Sequence, residues 1–203
     1  MKLSMKNINK SLLLAILLLM SHWALYGQSN TIMYLDIPGL DGEYTVPTDR
    51  PNVTTPGPKP KNILIQKYAL IKKNSFNVNS SNSGLGGGRA EGNEMDLTFR
   101  IEQPVIELSK RLFNHTVTPA MNLYIDLPGT TQKELMRIKL TEVSILSIDH
   151  FMDGEGILTY LMKVKFKSNL TAVTTYTLAN PPTDTQRFCW DYVTNTSCTS
   201  TNF

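Results

Sequence analysis

The chain has 203 residues, and its 20 lysines and arginines exceed its 17 aspartates and glutamates by three. That excess lies within the first 27 residues, which contain Lys2, Lys6 and Lys10 and no acidic residue, so the rest of the chain is formally neutral. A neutral chain excludes the broad basic surface that nucleic acid or an anionic membrane requires.

Residues 1–27 are predicted to be a secretory signal peptide. The three lysines precede an uncharged apolar run from Leu12 to Met20, which is shorter than the roughly 20 residues needed to span a bilayer. Gly27 supplies a small residue at a cleavage point. The alternative is an uncleaved N-terminal anchor. We therefore expect a secreted or periplasmic protein with no stable membrane span after signal removal.

Alternation of apolar and polar side chains predicts antiparallel strands in a domain covering residues 28–178. Three segments show it most clearly: residues 95–101, 121–127 and 158–166. Between Met136 and Ile148 the apolar positions change parity after Leu140, which predicts a bulge or corner within one long strand.

A single segment has helical spacing instead. Val105, Leu108 and Leu112 follow Pro104, and proline suits a first helical turn, so a helix is predicted over Gln103–Asn114. The chain is thus predicted to be mainly antiparallel β with one lateral helix. A closed or nearly closed β-barrel is the simplest way to hide its strand edges.

A hexapeptide occurs twice, as YLDIPG at residues 34–39 and as YIDLPG at residues 124–129. Each copy ends a predicted strand, where proline stops pairing and glycine supplies the positive φ of a turn. Neither copy has the ligand spacing of an EF-hand calcium loop. We interpret the repeat as a turn device, and DGEG at residues 153–156 as a hairpin turn.

Two long segments lack periodicity, residues 46–61 and residues 77–93. Loops of this length are uncommon in compact domains without a functional reason, so both are candidate lids, binding loops or assembly contacts. The second is rich in glycine, but Arg89 stands where a dinucleotide motif needs glycine and a strand follows, so no phosphate-binding loop and no cofactor are predicted.

Few residues suit catalysis. After signal removal only His115 and His150 remain, and Asp149 beside His150 would point to the opposite face of a strand. Paired carboxylates for glycoside hydrolysis stay open, because three acids follow the glycine-rich loop: Glu91, Glu94 and Asp96. We predict no catalytic site and no metal site.

The C-terminal residues 179–203 are predicted to form a tail with a local disulfide. Cys189 and Cys198 are the only cysteines, and export would place them in an oxidising compartment. Trp190 and Tyr192 lie between them. These aromatic residues either contact a sugar or protein ligand, or cap the end of the barrel core.

Four segments in a fixed order resemble the haemolysin-coregulated protein (Hcp) family, the inner-tube subunit of type VI secretion. The similarity covers roughly Ile32 to Phe166. The segments are IMYLDIPGLDGEYT, NSSNSGLGGGRAEGN, MDLTFRIEQPVIELSKRLFNHTVTPAMNLYI and RIKLTEVSILSIDHF.

The resemblance implies a barrel of two packed sheets with a lateral helix, assembling as a six-membered ring with a wide channel. Such rings can stack into a tube, with secretion-machine components or effector cargo as partners. It also implies that part of the glycine-rich loop contacts neighbouring subunits or rings, and these assembly-loop residues are Leu85, Gly86, Gly87, Gly88 and Arg89. The signal peptide and the C-terminal tail depart from the family pattern, which leaves a secreted module that binds carbohydrate or protein as the alternative.

Overall fold

The computed structural model describes residues 31–45, 61–75, 89–100, 104–127, 133–176 and 182–198. These ranges contain ten strands and one helix. In chain order they are β1 (Ile32–Asp36), β2 (Tyr44–Thr45), β3 (Lys61–Ser75), β4 (Arg89–Arg100), α1 (Val105–Phe113), β5 (Thr118–Leu127), β6 (Lys133–Met152), β7 (Leu158–Lys165), β8 (Ser168–Tyr176), β9 (Pro182–Asp191) and β10 (Thr196–Ser197).

Antiparallel pairing closes six of the strands into a ring. Around the ring the neighbours are β6, β5, β1, β3, β4 and β7, and β7 pairs again with β6. Strands β8, β9 and β10 extend from β6 as a branch, and β2 pairs with the start of β3. The predicted mainly antiparallel β fold with one helix is confirmed.

Strand β6 can close the ring because it turns a corner. Its first half pairs with β5 and β8, whereas the residues from Ser144 onward pair with β7. Leu140 and Val143 are both buried although they lie an odd number of positions, three, apart, and Glu142 between them has a positive φ of 47°. The predicted corner is therefore confirmed. The Glu142 carboxylate accepts a hydrogen bond from Lys167 at 2.7 Å, which joins the corner to the link between β7 and β8.

One buried cluster receives a side chain from every strand of the ring. Representative members in chain order are Leu35, Ile63, Leu97, Leu123, Ile138 and Met162. Helix α1 adds Leu108, which is fully buried in the same cluster, and the helix is confirmed within the predicted range. The Arg111 guanidinium links the helix to β5 and to the turn after β1. It donates to the Thr118 hydroxyl at 3.3 Å and to the Pro38 carbonyl at 3.4 Å.

The first hexapeptide ends in the predicted turn. The N–H of Leu40 donates to the carbonyl of Ile37 at 3.0 Å, and Gly39 has a φ of +74°. This is the positive φ that glycine adopts without a steric penalty. In the second copy, Pro128 and Gly129 lie outside the described residues.

The hairpin between β6 and β7 turns at DGEG, as predicted. The Asp153 carboxylate accepts hydrogen bonds from the backbone N–H groups of Glu155 and Ile157, each at 2.9 Å. The Ile157 N–H has the largest effect, and together these donors lower the pKa of the Asp153 carboxyl below its usual value. Gly156 completes the turn with a φ of +75°.

Replacement of Gly42 by alanine tests the packing of the first loop against β3. The Gly42 N–H donates to the Lys61 carbonyl at 3.1 Å, and a Cβ at position 42 would overlap the carbonyl group of Asn62. We expect Gly42→Ala to lower the free energy of unfolding by about 1–3 kcal/mol, because the backbone must move apart. Urea unfolding measures the loss.

Gly154→Ala is the matched control. A Cβ there meets no atom within 4 Å, so we expect a change within about 0.5 kcal/mol. Equal stabilities of the two variants would contradict the close approach at Gly42.

Candidate assembly site

Strands β3 and β4 continue beyond the ring as a two-stranded arm. Strand β4 pairs with β7 only from Glu94 to Arg100, whereas its pairing with β3 continues to Arg89, opposite Ser75. Within the described part of the chain, residues 73–75 and 89–91 have strand pairing with each other alone. The outer backbone edges of the arm are therefore available for pairing with another chain.

The arm bends at its base. The register between β3 and β4 shifts between Ile71 and Lys73, and Gly92 on the opposite strand has a φ of +108°. An extra residue in one strand of a pair increases the local twist and changes the direction of the ribbon. A side chain at position 92 would be strained in this conformation.

The predicted assembly loop belongs to the segment that this arm carries. Arg89 begins β4, while Leu85, Gly86, Gly87 and Gly88 lie outside the described residues. The structure thus describes the two strands that flank the loop, β3 before it and β4 after it. The contact role of the five residues stays a prediction.

The acids that follow the loop face lysines on the neighbouring strand. Glu94 is directly opposite Lys165, and Asp96 is directly opposite Lys163. Opposite charges at such positions stabilise a sheet. No ion pair joins these residues in the described part of the chain, Asp96 Oδ1 is buried without a hydrogen-bond partner there, and the side chain of Glu91 lies outside it.

The two remaining histidines do not meet each other or a carboxylate in a catalytic arrangement. His150 lies opposite Tyr160, with ring centroids 6.1 Å apart, while Asp149 lies opposite Leu161. His115 follows the end of α1 and has a positive φ of 51°. Across the described ranges, no group of three or more His, Cys, Asp or Glu residues is placed to hold a metal ion.

The first residues of the two hexapeptides lie opposite each other, which sequence reasoning missed. Strands β1 and β5 place Tyr34 directly opposite Tyr124, and their rings stack with centroids 5.2 Å apart. The Tyr34 hydroxyl donates to Asp126 Oδ2 at 2.7 Å, and both side chains are fully buried. The first copy thus supplies the donor and the second copy the acceptor. Both hexapeptides have the spacing Tyr-x-Asp, and this is the sequence feature from which the contact could have been predicted.

An aromatic and ionic row extends from this pair across the sheet. The Tyr44 ring lies 5.4 Å from the Tyr34 ring, and the Arg137 guanidinium lies 5.1 Å from the centroid of Tyr124. Glu134 accepts two-point hydrogen bonds from Arg137, the shortest at 2.6 Å. A cation that is paired and also lies over a ring is well compensated for its partial burial.

The C-terminal segment is part of the sheet. Strand β9 pairs with β8 along its length, and β10 pairs back onto the end of β9. Cys189 and Cys198 form the predicted disulfide. It closes over a turn in which the Asp191 carboxylate accepts the N–H groups of Val193 and Thr194.

The two candidate aromatic residues of the tail have different environments. Tyr192 is buried in the core cluster and packs edge-on against Phe166, with centroids 5.6 Å apart, which is the capping arrangement. Trp190 is partly buried and lies parallel to Phe188 at 6.3 Å, and the Phe188 ring is half exposed. Any aromatic contact surface on β9 therefore consists of Phe188 and Trp190.

Comparisons with known proteins identify the fold. Neither a model of a known protein family nor a curated protein matches the sequence. Among solved structures, a type six secretion system protein matches with a TM-score of 0.70 at 16% identity, over 82% of this chain and 99% of that chain. Hcp1 from Salmonella typhimurium matches with a TM-score of 0.60 at 15% identity, over 83% and 99% of the two chains.

A type VI secretion system effector from Yersinia pestis also matches, with a TM-score of 0.56 at 13% identity, over 78% of this chain and 98% of that one. The chain therefore has the fold of Hcp and type VI secretion proteins, and the resemblance that the four sequence segments indicated is confirmed at the level of fold. As for membranes, the described residues include no helix with the length and apolar character needed to cross one.

Replacement of Tyr34 by phenylalanine tests the contact between the hexapeptides. The change removes a buried donor to the Asp126 carboxylate, and we expect the free energy of unfolding to fall by about 1–3 kcal/mol. Tyr160→Phe is the matched control, because Tyr160 is half-buried and its hydroxyl has no hydrogen-bond partner among the described residues. Chemical unfolding of both variants measures the difference, and an equal loss in the two would contradict the Tyr34–Asp126 contact.

Removal of the disulfide between Cys189 and Cys198 tests its contribution to the stability of the protein. The disulfide closes a loop with a sequence separation of 9 residues, and opening such a loop should cost roughly 2–3 kcal/mol of stability. We expect the exported protein to show no free thiol by mass spectrometry, and the Cys189→Ser/Cys198→Ser variant to unfold at lower urea concentration. Two free thiols in exported material would refute the bond.

Proposed function

We propose that this chain is an exported, ring-forming structural subunit that resembles the type VI secretion tube subunit and has no enzymatic activity. The observation that carries the proposal is the fold, which matches type VI secretion and Hcp structures over nearly the full length of those chains. Export rests on the predicted signal peptide, and the number of six subunits rests on the sequence resemblance.

The two-stranded arm supports an assembly role. Its strands leave the ring with unpaired outer edges, and such edges bind a further strand by backbone hydrogen bonding. The bulge at Gly92 directs the arm away from the line of β4. A neighbouring copy that receives the arm would bury these edges. Stacking of rings, contact with secretion-machine components and carriage of effector cargo belong to the same proposal.

A second candidate function rests on one observation, the parallel arrangement of Phe188 and Trp190 on β9. Exposed aromatic rings on a strand can bind a sugar or a protein segment. A protein that is monomeric and binds glycans, with binding lost in Phe188→Ala, would favour this secreted binding module over the ring subunit.

Imaging and native mass spectrometry of the exported protein, expressed from the full chain, test the proposal. We expect annular particles whose mass is six times that of the subunit. Leu85→Asp should abolish them while leaving the circular dichroism spectrum unchanged, because a charge would be placed in the assembly loop. Leu146→Asp is the matched control, since Leu146 is a half-exposed leucine on the ring itself.

Two outcomes would contradict the proposal. A strict monomer over a wide concentration range would remove the assembly role. Rings that still form in Leu85→Asp would be consistent with assembly but would contradict a contact through the loop.

A further inference from the structure

Exposed apolar side chains concentrate at two separate places in the described residues. Phe113, Ile106 and Met152 have 79%, 71% and 63% of their surface exposed, and they are three of the four most exposed large apolar residues there. The fourth is Val193, at 66%. Exposed apolar residues grouped with charges are typical of contact surfaces.

The first place is the outer side of α1, here called the helix surface. Ile106, Lys110 and Phe113 lie three and four residues apart, so they form one stripe on the helix, and Val117 continues it beyond the helix end. Beside the stripe lies an open groove of about 430 Å³, whose lining includes Arg111 and Val117.

Arg111 gives the helix surface an uncompensated positive charge. Its guanidinium donates to two neutral oxygens, at 3.3 and 3.4 Å, and among the described residues it contacts no carboxylate. Lys110 is already paired with Glu107 at 3.3 Å. A partly buried guanidinium binds a carboxylate strongly when one is offered. The groove therefore suits a segment that combines apolar side chains with an acid.

The second place is the end of the hairpin between β6 and β7, here called the hairpin tip, residues 149–155. Asp149 and Phe151 are exposed and lie two residues apart, so their side chains are on the same face of β6, whereas the exposed Met152 side chain is on the opposite face. The Asp149 carboxylate accepts a hydrogen bond from the Ser147 hydroxyl at 3.3 Å, and no cation reaches it within the described ranges. The turn at Asp153 holds the tip in a defined conformation.

We propose that the hairpin tip of one copy docks on the helix surface of a second copy, with Phe151 packed against Ile106, Phe113 and Val117 and with Asp149 bound to Arg111. The inference rests on the proposed assembly and names the contact within it. Both surfaces have exposed apolar side chains, and their charges have opposite signs. The two surfaces are on different parts of one chain, so the contact is head-to-tail and either closes into a ring or continues as a stack.

A mixing experiment tests this contact because a head-to-tail interface has two distinct halves. Phe113→Asp damages the helix surface and leaves the hairpin tip intact, and Phe151→Asp does the reverse. We expect each variant alone to need at least tenfold more protein for half-assembly than the wild type, as loss of a central apolar contact does. At a concentration where both variants are monomers, an equal mixture should give 1:1 heterodimers, since one intact tip then meets one intact helix surface.

Val193→Asp is the matched control, because Val193 is similarly exposed but lies in the turn closed by the disulfide, outside both surfaces. Native mass spectrometry with distinguishable masses measures the result, and thermal unfolding checks that all variants fold. Assembly of both variants within twofold of the control would overturn the contact while leaving the ring subunit intact. Monomeric variants that give no heterodimer would also overturn it, whereas a monomeric wild type would overturn the proposed function itself.

Discussion

The whole structure depends on the corner in β6. This strand of 20 residues pairs with β5 and β8 before the corner and with β7 after it. The positive φ of Glu142 changes the direction of the strand, so that buried side chains before and after the corner face one core. The ion pair between Glu142 and Lys167 lies at this corner. Each ring strand then has a paired neighbour on both sides along at least part of its length.

Ring closure also determines which parts of the chain remain available to other copies. Unpaired strand edges in the described residues lie on the arm of β3 and β4, along β9, and along the second half of β6, which pairs with β7 alone. The hairpin tip and the helix surface likewise lie where strands end. An assembly role therefore needs no change in the core, and the disulfide and Tyr192 hold the last segment against it.

The sequence predicted those features that depend on local periodicity. Alternation located the strands, the change of parity after Leu140 located the corner, and helical spacing after Pro104 located α1. The cysteine pair followed from the compartment. Contacts between distant segments were missed, because Tyr34 and Asp126 meet only once β1 and β5 are in register. The same reason explains why the arm was seen as part of a loop, since its length depends on where β7 stops pairing with β4.

Backbone hydrogen exchange measured strand by strand, in dilute and in assembled protein, tests the account most directly. The account predicts that the β6 amides that face β7 are protected in dilute protein to a degree similar to those that face β5, and that the outward-facing amides of the arm residues 73–75 and 89–91 become protected only on assembly. Rapid exchange in the half of β6 that pairs with β7, as expected of an open edge, would contradict ring closure and the account built on it.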